Sequence, residues 1–188
     1  MDDHQIVDLF FNRREAAIGE ASNKYGGRML LTAMNILQSR QDAEECLNDA
    51  LLKAWESIPP VRPMILGAFL VKISRNLAIN KYRSKSAAKR GGGETSIMLS
   101  ELEDCIRAGN GTEPEKAYEA AQLTAAINTF LASMNQTARV AFVLRYFYGE
   151  SIAGICERFE MSESKIKSLL FRTRKKLAEY LKKQDINV

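Results

Sequence analysis

Ser162-Glu163-Ser164-Lys165-Ile166-Lys167-Ser168-Leu169-Leu170-Phe171-Arg172-Thr173-Arg174-Lys175-Lys176-Leu177-Ala178-Glu179-Tyr180-Leu181-Lys182-Lys183 is the stretch from which the fold can be read. Ser162 predicts a helix N-cap whose hydroxyl accepts from the first-turn amides. Ile166, Leu169, Leu170, Thr173, Leu177 and Leu181 recur at helical spacing and form one apolar stripe. Ser164, Lys165, Ser168, Arg172, Lys175 and Lys176 project from the other side, with Lys167 and Phe171 on the flank. A helix that packs one face and offers short hydroxyls and long cations on the other suits a DNA groove.

Residues immediately upstream extend the pattern. Ser151 predicts the cap of a short helix carrying Ile152, Ile155, Cys156 and Phe159, and Glu160 and Met161 follow. Short helix, tight turn and second helix form the helix-turn-helix plan, whose second element lies in the major groove. The small Cys156 suits the point where the two helices cross, and Ile166 and Leu169 suit the inner face of the reading helix. The turn favours glycine in the left-handed region, yet Glu160 stands there, at about 1 kcal/mol of local strain.

At 188 residues, 46% of them hydrophobic and only four of them proline, the chain has the composition of one or two soluble globular domains. Its 27 basic and 23 acidic residues leave a net charge of only +4, but the charges are segregated. Lys72, Arg75, Lys81, Arg83, Lys85, Lys89 and Arg90 form one run without an acid, and Lys165 to Lys183 holds eight cations against Glu179 alone. Between them, Glu94 to Glu119 is mainly acidic. Two basic regions joined by an acidic bridge imply two separate contacts with a polyanion. Cys46, Cys105 and Cys156 are odd in number and far from the single histidine, His4. They read as small buried hydrophobes, not as a disulfide framework or a zinc site. No apolar run is long enough to span a membrane, and Met1-Asp2-Asp3-His4 is no signal peptide. A cytoplasmic protein without membrane insertion is expected.

Periodicity makes the chain nearly all helix. A first helix from Asp3 to about Ser22 turns Ile6, Leu9, Phe10 and Ala17 inward. Gly26-Gly27 loosens or breaks it, and Arg28 to Gln38 follows with Met29, Leu30, Ala33, Met34 and Leu37. Ser39 predicts the cap of a third helix ending near Ile58. That helix faces Ala43, Leu47, Ala50, Leu51 and Ala54 inward and carries Asp42, Glu45, Asn48, Asp49 and Glu56 on an acidic opposite side. Pro59-Pro60-Val61-Arg62-Pro63 cannot be helical, because each proline disfavours the α region in the residue before it. Pro63 can open a fourth helix, Met64 to about Lys85, that buries Leu66, Phe69, Leu70, Ile73 and Leu77 and leaves Lys72, Arg75, Tyr82 and Arg83 outside. The expected fold is all-α, with two small helical domains, 1–85 and 114–188, joined by a flexible acidic linker, 86–113. The linker has room for a short helical piece around Met98 to Cys105 and an exposed Gly109-Asn110-Gly111. The second domain takes helices at Glu115 to Ser133, Gln136 to Tyr148 and Ser151 to Phe159, then the reading helix.

Nothing in the chain points to catalysis. The triple glycine Gly91-Gly92-Gly93 lacks the Lys-Ser/Thr of a phosphate loop, and no strand precedes it. Paired carboxylates, a Ser/His/Asp set and metal-spaced clusters are all missing from the sequence, so no enzyme, cofactor or metal is expected. Arg75, Asn76, Asn80, Lys81 and Tyr82 combine cations, amides and an aromatic, which suit exposed bases. The one-sided acidity of the third helix suits a docking surface. These features leave room for a stand-alone helix-turn-helix regulator, or for a helical adaptor whose basic faces meet acidic proteins.

Three blocks, in order, resemble a sigma factor of the extracytoplasmic-function type, the small two-domain class of bacterial RNA polymerase specificity subunits. Asp42-Ala43-Glu44-Glu45-Cys46-Leu47-Asn48-Asp49-Ala50-Leu51-Leu52-Lys53-Ala54-Trp55 resembles the segment that grips the clamp helices of the largest polymerase subunit. Phe69-Leu70-Val71-Lys72-Ile73-Ser74-Arg75-Asn76-Leu77-Ala78-Ile79-Asn80-Lys81-Tyr82-Arg83 resembles the helix contacting the −10 element, and Ser162 to Leu177 is similar to the −35 reader. The resemblance implies core RNA polymerase and promoter DNA as partners and allows an anti-sigma factor. It places Ser164, Lys165, Lys167, Ser168, Phe171 and Arg172 toward the −35 groove, and Arg174, Lys175 and Lys176 toward phosphates, which position without reading sequence. It sets Arg62, Lys72, Arg75, Asn76, Asn80, Tyr82 and Arg83 at the −10 region, with Pro59 to Pro63 in the loop that captures a flipped base. Asp42, Glu45, Asn48, Asp49, Leu52 and Glu56 fall on the polymerase-binding segment. The acidic linker would thread toward the active-site and RNA-exit channels. Departures are Phe69 where the family commonly has Trp, Glu160 in place of the turn glycine, and a proline-rich loop too divergent to name its base.

Overall fold

Apolar side chains at helical spacing gather into two separate cores in the computed structural model, which describes residues 1–87, 94–103 and 113–184. Lys89, Arg90, the triple glycine, Cys105 and Gly109-Asn110-Gly111 lie outside the described residues. Among the described residues the regular elements are all helices: α1 (Asp3–Phe11), α2 (Ala16–Leu37), α3 (Arg40–Ser57), α4 (Leu66–Ala87), α5 (Glu94–Glu103), α6 (Glu113–Ser133), α7 (Gln136–Tyr146), α8 (Ile152–Phe159) and α9 (Glu163–Lys183). The chain divides into a unit of Met1–Gly91 with Phe147–Gly149 and a unit of Gly92–Tyr146 with Glu150–Val188.

In the first unit, α1 to α4 bury Ile6, Phe10, Met29, Ala50, Ala54, Leu66 and Leu70 completely. Asp2 starts α1 with a capping box: its carboxylate accepts from the Gln5 amide at 2.8 Å, and the Gln5 side chain accepts from the Asp2 amide at 3.0 Å. The expected single helix from Asp3 to Ser22 is instead interrupted between Phe11 and Ala16, where Arg13 takes a φ of 51°. Phe10 and Ala17 both belong to the core, and the chain satisfies both by turning back on itself there. The break expected at Gly26-Gly27 does not occur, and α2 runs through both glycines. Tyr25, Gly26, Met29, Thr32, Ala33 and Ile36 are all buried along it, and that packing outweighs the roughly 1 kcal/mol that each helical glycine costs. At Gly67 a Cβ would stand 2.6 Å from the Tyr25 ring, so this glycine permits the close approach of α4 to α2.

Ser39 caps α3 as expected, its hydroxyl accepting from the Asp42 amide at 3.4 Å. Helix α4 begins at Leu66, two residues later than Pro63 suggested, and leaves Val61, Met64 and Ile65 exposed in the loop before it. The buried Ser74 hydroxyl donates to the Met29 carbonyl at 3.0 Å, and the buried Cys46 thiol donates to the Ser74 carbonyl at 3.3 Å. Those two bonds tie α2, α3 and α4 together at one level.

The second core comprises Met98, Phe130, Ala141, Phe142, Tyr146, Ile155, Ile166, Leu170, Leu177 and Leu181. Met98 comes from α5, a helix within the stretch whose sequence reads as linker, and it is 1% exposed. Ser151 caps α8 by accepting from the Gly154 amide at 2.9 Å. Ile155, and not the half-buried Cys156, is the fully buried residue of α8. Glu160 ends α8 in the left-handed region, at φ 51° and ψ 40°, as the helix-turn-helix plan requires. Ser162 occupies the N-cap of α9, but its side chain makes no capping hydrogen bond, contrary to expectation. The apolar stripe of α9 is buried as its spacing predicted, at Ile166, Leu170, Thr173, Leu177 and Leu181.

A glycine at the turn needs no strained backbone. Glu160→Gly should therefore raise the stability of the second unit by about 0.5–1 kcal/mol, read as a higher far-UV circular dichroism melting temperature. An unchanged or lower melting temperature would show that the glutamate side chain offsets its own strain.

Candidate nucleic-acid interface

Because α9 buries one stripe, the opposite side chains are forced into solvent. Ser164, Lys165, Lys167, Ser168, Phe171, Arg172, Lys175 and Lys176 are all exposed. Phe171, at 60% exposure, is a large aromatic ring standing in water among cations. Lys167 pairs with Glu163 one turn earlier, and Arg172 Nε donates to the Ser168 carbonyl at 3.2 Å. The face thus offers hydroxyls, cations and one apolar ring, the kinds of group that meet base edges and thymine methyls.

Arg174 does not join that face. Its guanidinium pairs with Glu101 of α5 at 3.1 Å, donates to the Tyr146 hydroxyl, and lies over the Tyr146 ring at 5.9 Å. Packing of α5 on this edge of α9 supplies the arginine, expected from the sequence to meet phosphate, with an internal carboxylate. Sequence spacing on α9 alone could not find this cluster, because its partners lie in α5 and α7.

On α4, Lys72, Asn76, Asn80 and Arg83 are exposed and fall along one face at helical spacing, with the half-buried Arg75 and Tyr82 beside them. Burial, and then the nearby Arg83 cation, lower the pKa of Arg75. Arg62 lies in the loop that precedes α4 and is drawn to α1, pairing with Asp8 and stacking over the Phe11 ring at 4.9 Å.

On α3, Glu45, Asn48, Asp49, Leu52 and Glu56 share an exposed face, and Leu52 places an apolar side chain, 55% exposed, at its centre. Asp42 stands apart from them. Its side chain is 16% exposed and holds Lys85 at 2.6 Å and Lys81 at 3.3 Å, while Glu45 takes Lys81 at 2.7 Å. The hydrogen bond from Lys85, then that from Ser39, then Lys81 pull the Asp42 carboxyl down to about 2. Two cations of the basic run are therefore turned toward α3. The signal was present in the sequence as two acids three apart and two lysines four apart, but pairing them needed the α3–α4 packing. Among the described residues no group of His, Cys, Asp and Glu could hold a metal, and no helix is long and apolar enough to cross a membrane.

Two family models match the chain in order: sigma-70 region 2 over residues 23–88, and sigma-70, region 4 over residues 124–177. Among solved structures the chain is similar to CnrH in its complex with the cytosolic domain of CnrY, at 18% identity and a TM-score of 0.43, over 96% of this chain and 97% of that one. No curated protein sequence matches.

A carboxyl whose pKa is depressed on folding contributes stability that is complete above its unfolded value and is lost as pH falls through the folded one. For Asp42 that window runs from 3.8 down to about 2. Trp55, the one tryptophan, lies in the first unit and reports its unfolding. Asp42→Asn should flatten the loss of urea stability between about pH 4 and about pH 2, followed by Trp55 fluorescence. A parent-like acid dependence in that variant would remove Asp42 as its source.

Proposed function

Because the chain belongs to the sigma-70 family of RNA polymerase sigma factors, in its extracytoplasmic-function class, we propose that the exposed faces of its two units divide promoter recognition between them. As a sigma factor it binds core RNA polymerase, recognises the −35 and −10 elements and promotes melting of the duplex for initiation. The observation that carries this is the order of the two matched regions on two separately packed helical units, each with its own polar face. It has no chemistry of its own, since nucleotide addition belongs to the polymerase.

The residue roles follow from exposure. Ser164, Lys165, Lys167, Ser168, Phe171 and Arg172 meet base edges of the −35 groove, while Lys175 and Lys176 hold phosphates. Lys72, Arg75, Asn76, Asn80, Tyr82 and Arg83 on α4 take the unpaired −10 strand, with Arg62 in the adjoining loop. Binding the separated strand better than the duplex shifts the equilibrium toward melting, with no other source of energy needed. Glu45, Asn48, Asp49, Leu52 and Glu56 on α3 dock on the clamp helices of the largest subunit. Asp42, engaged with Lys81 and Lys85, holds α3 and α4 in register for that contact. An anti-sigma factor is a further partner for this class.

A stand-alone helix-turn-helix regulator is not favoured, because its N-terminal half has no reason to match region 2. That alternative predicts a palindromic site and tight specific DNA binding without polymerase. Transcription in vitro from genomic fragments, with core polymerase and with or without this protein, separates the two. New start sites only in the presence of both support the sigma reading, and their absence refutes it.

Two substitutions test the residue assignments. Arg172→Ala should cost about 1–3 kcal/mol of discrimination at one −35 position, measured by transcription from a promoter series. Unaltered promoter choice would remove Arg172 from the reading set. Asp49→Arg should weaken core polymerase binding on the order of tenfold with an unchanged melting curve. Normal co-purification with core enzyme would exclude this face of α3 as the dock.

A further inference from the structure

Helix α5 lies outside both matched regions, carries Glu94, Glu101 and Glu103, and has no cation. The burial of Met98 and Thr95 fixes it to the second core. That anchoring brings Glu101 Oε2 to 2.9 Å from the Tyr146 hydroxyl, which donates to it, and to 3.1 Å from Arg174 Nη1. Tyr146 is 3% exposed; burial first, and then the Glu101 charge, raise its pKa, so it remains the donor. Arg174, its side chain 16% exposed, lies over Tyr146 on one side and 6.0 Å from the Phe171 ring centre on the other. Charge-assisted bonds that are partly shielded from water are stronger than an exposed ion pair. A DNA phosphate that took Arg174 Nη1 would have to displace Glu101 and the Tyr146 hydroxyl from it.

We propose that Glu101 is a specificity-determining residue of DNA recognition: with Tyr146 it withholds Arg174 from phosphates and keeps the guanidinium behind Phe171, whose ring stands on the base-reading face. A phosphate-bound arginine strengthens binding to every sequence alike, whereas a guanidinium that braces an exposed aromatic ring restricts the group that touches base edges. A sequence-blind contact leaves the ratio of specific to non-specific binding unchanged, so the discrimination comes from the braced Phe171 ring. Glu101 and Tyr146 touch no DNA and act as positioning residues. The proposal rests on α9 being the −35 reader.

The test measures the full chain on two duplexes. One is recovered from a randomised pool by the full chain without polymerase, and the other is the same duplex with its −35 segment scrambled. Glu101→Gln should bind the scrambled duplex on the order of three- to tenfold tighter at low salt, with a plot of log K against log salt steeper by about one. The ratio of affinities for the two duplexes should also fall, because the Phe171 ring loses its brace. Glu101→Gln combined with Arg174→Gln should restore the parent slope. Tyr146→Phe removes only the bridging hydroxyl and should shift the slope in the same direction, which keeps the proposal testable if Glu101→Gln unfolds the second unit. Parent-like slope and ratio in variants that melt like the parent overturn the proposal. So does a loss of slope in Arg174→Gln alone, because Arg174 would then reach phosphate with Glu101 in place. A parent protein that starts no transcripts with core polymerase counts against the sigma reading alone, since the scrambled-duplex measurements need no polymerase.

Discussion

Burial of the α9 stripe sets the rotation of that helix, and the rotation decides which cations reach solvent. Ile166, Leu170, Leu177 and Leu181 are essentially inaccessible. Each such aliphatic side chain contributes roughly 1.5–3 kcal/mol when removed from water. An exposed ion pair contributes about 0–1 kcal/mol. Turning α9 by one residue to suit a charge would expose several of the four at once, and no surface pair could compensate. The polar face is therefore a consequence of the apolar one. The same holds for α4, where Leu66, Leu70, Val71, Ser74 and Ala78 face the core and leave Lys72, Asn76, Asn80 and Arg83 outward.

Charge is sorted a second time by local partners. Each unit contains cations that its own carboxylates hold: Lys81 and Lys85 by Asp42 and Glu45 in the first, Arg174 by Glu101 in the second. The net charge of +4 says little about this. The exposed cations of α9 are Lys165, Lys167, Arg172, Lys175 and Lys176, of which Lys167 is shared with Glu163, and α4 exposes Lys72 and Arg83. Shielded and exposed cations differ in position on the helix, not in residue type.

Much of this was legible in the sequence, and the remainder was not, for physical reasons. The helix-turn-helix at α8 and α9, the caps at Ser39 and Ser151, and the left-handed Glu160 follow from local rules of spacing and backbone geometry. Gly26-Gly27 misled because glycine propensity is worth about 1 kcal/mol, less than the packing of Tyr25 and Met29. The break at Asn12 to Glu15 was invisible because neither Gly nor Pro marks it; long-range burial of Phe10 and Ala17 does. The internal partners of Arg174 were invisible for a related reason. Its partners stand 28 and 73 residues away, at Tyr146 and Glu101, beyond the reach of any helical period. Of the candidate site, the exposed faces of α3, α4 and α9 could be read from periodicity, whereas the cross-helix pairs needed the packing.

The loop before α4 has a chemical consequence of its own. Met64 is 94% exposed, whereas Met29 and Met98 lie shielded at the centres of the two cores. A peroxide in solution reaches the Met64 thioether directly and cannot reach the other two without unfolding. Conversion to the sulfoxide would replace an apolar tip by a strongly dipolar one beside Val61 and Ile65. The loop before α4 is thus also where oxidative damage would register while both cores remain intact.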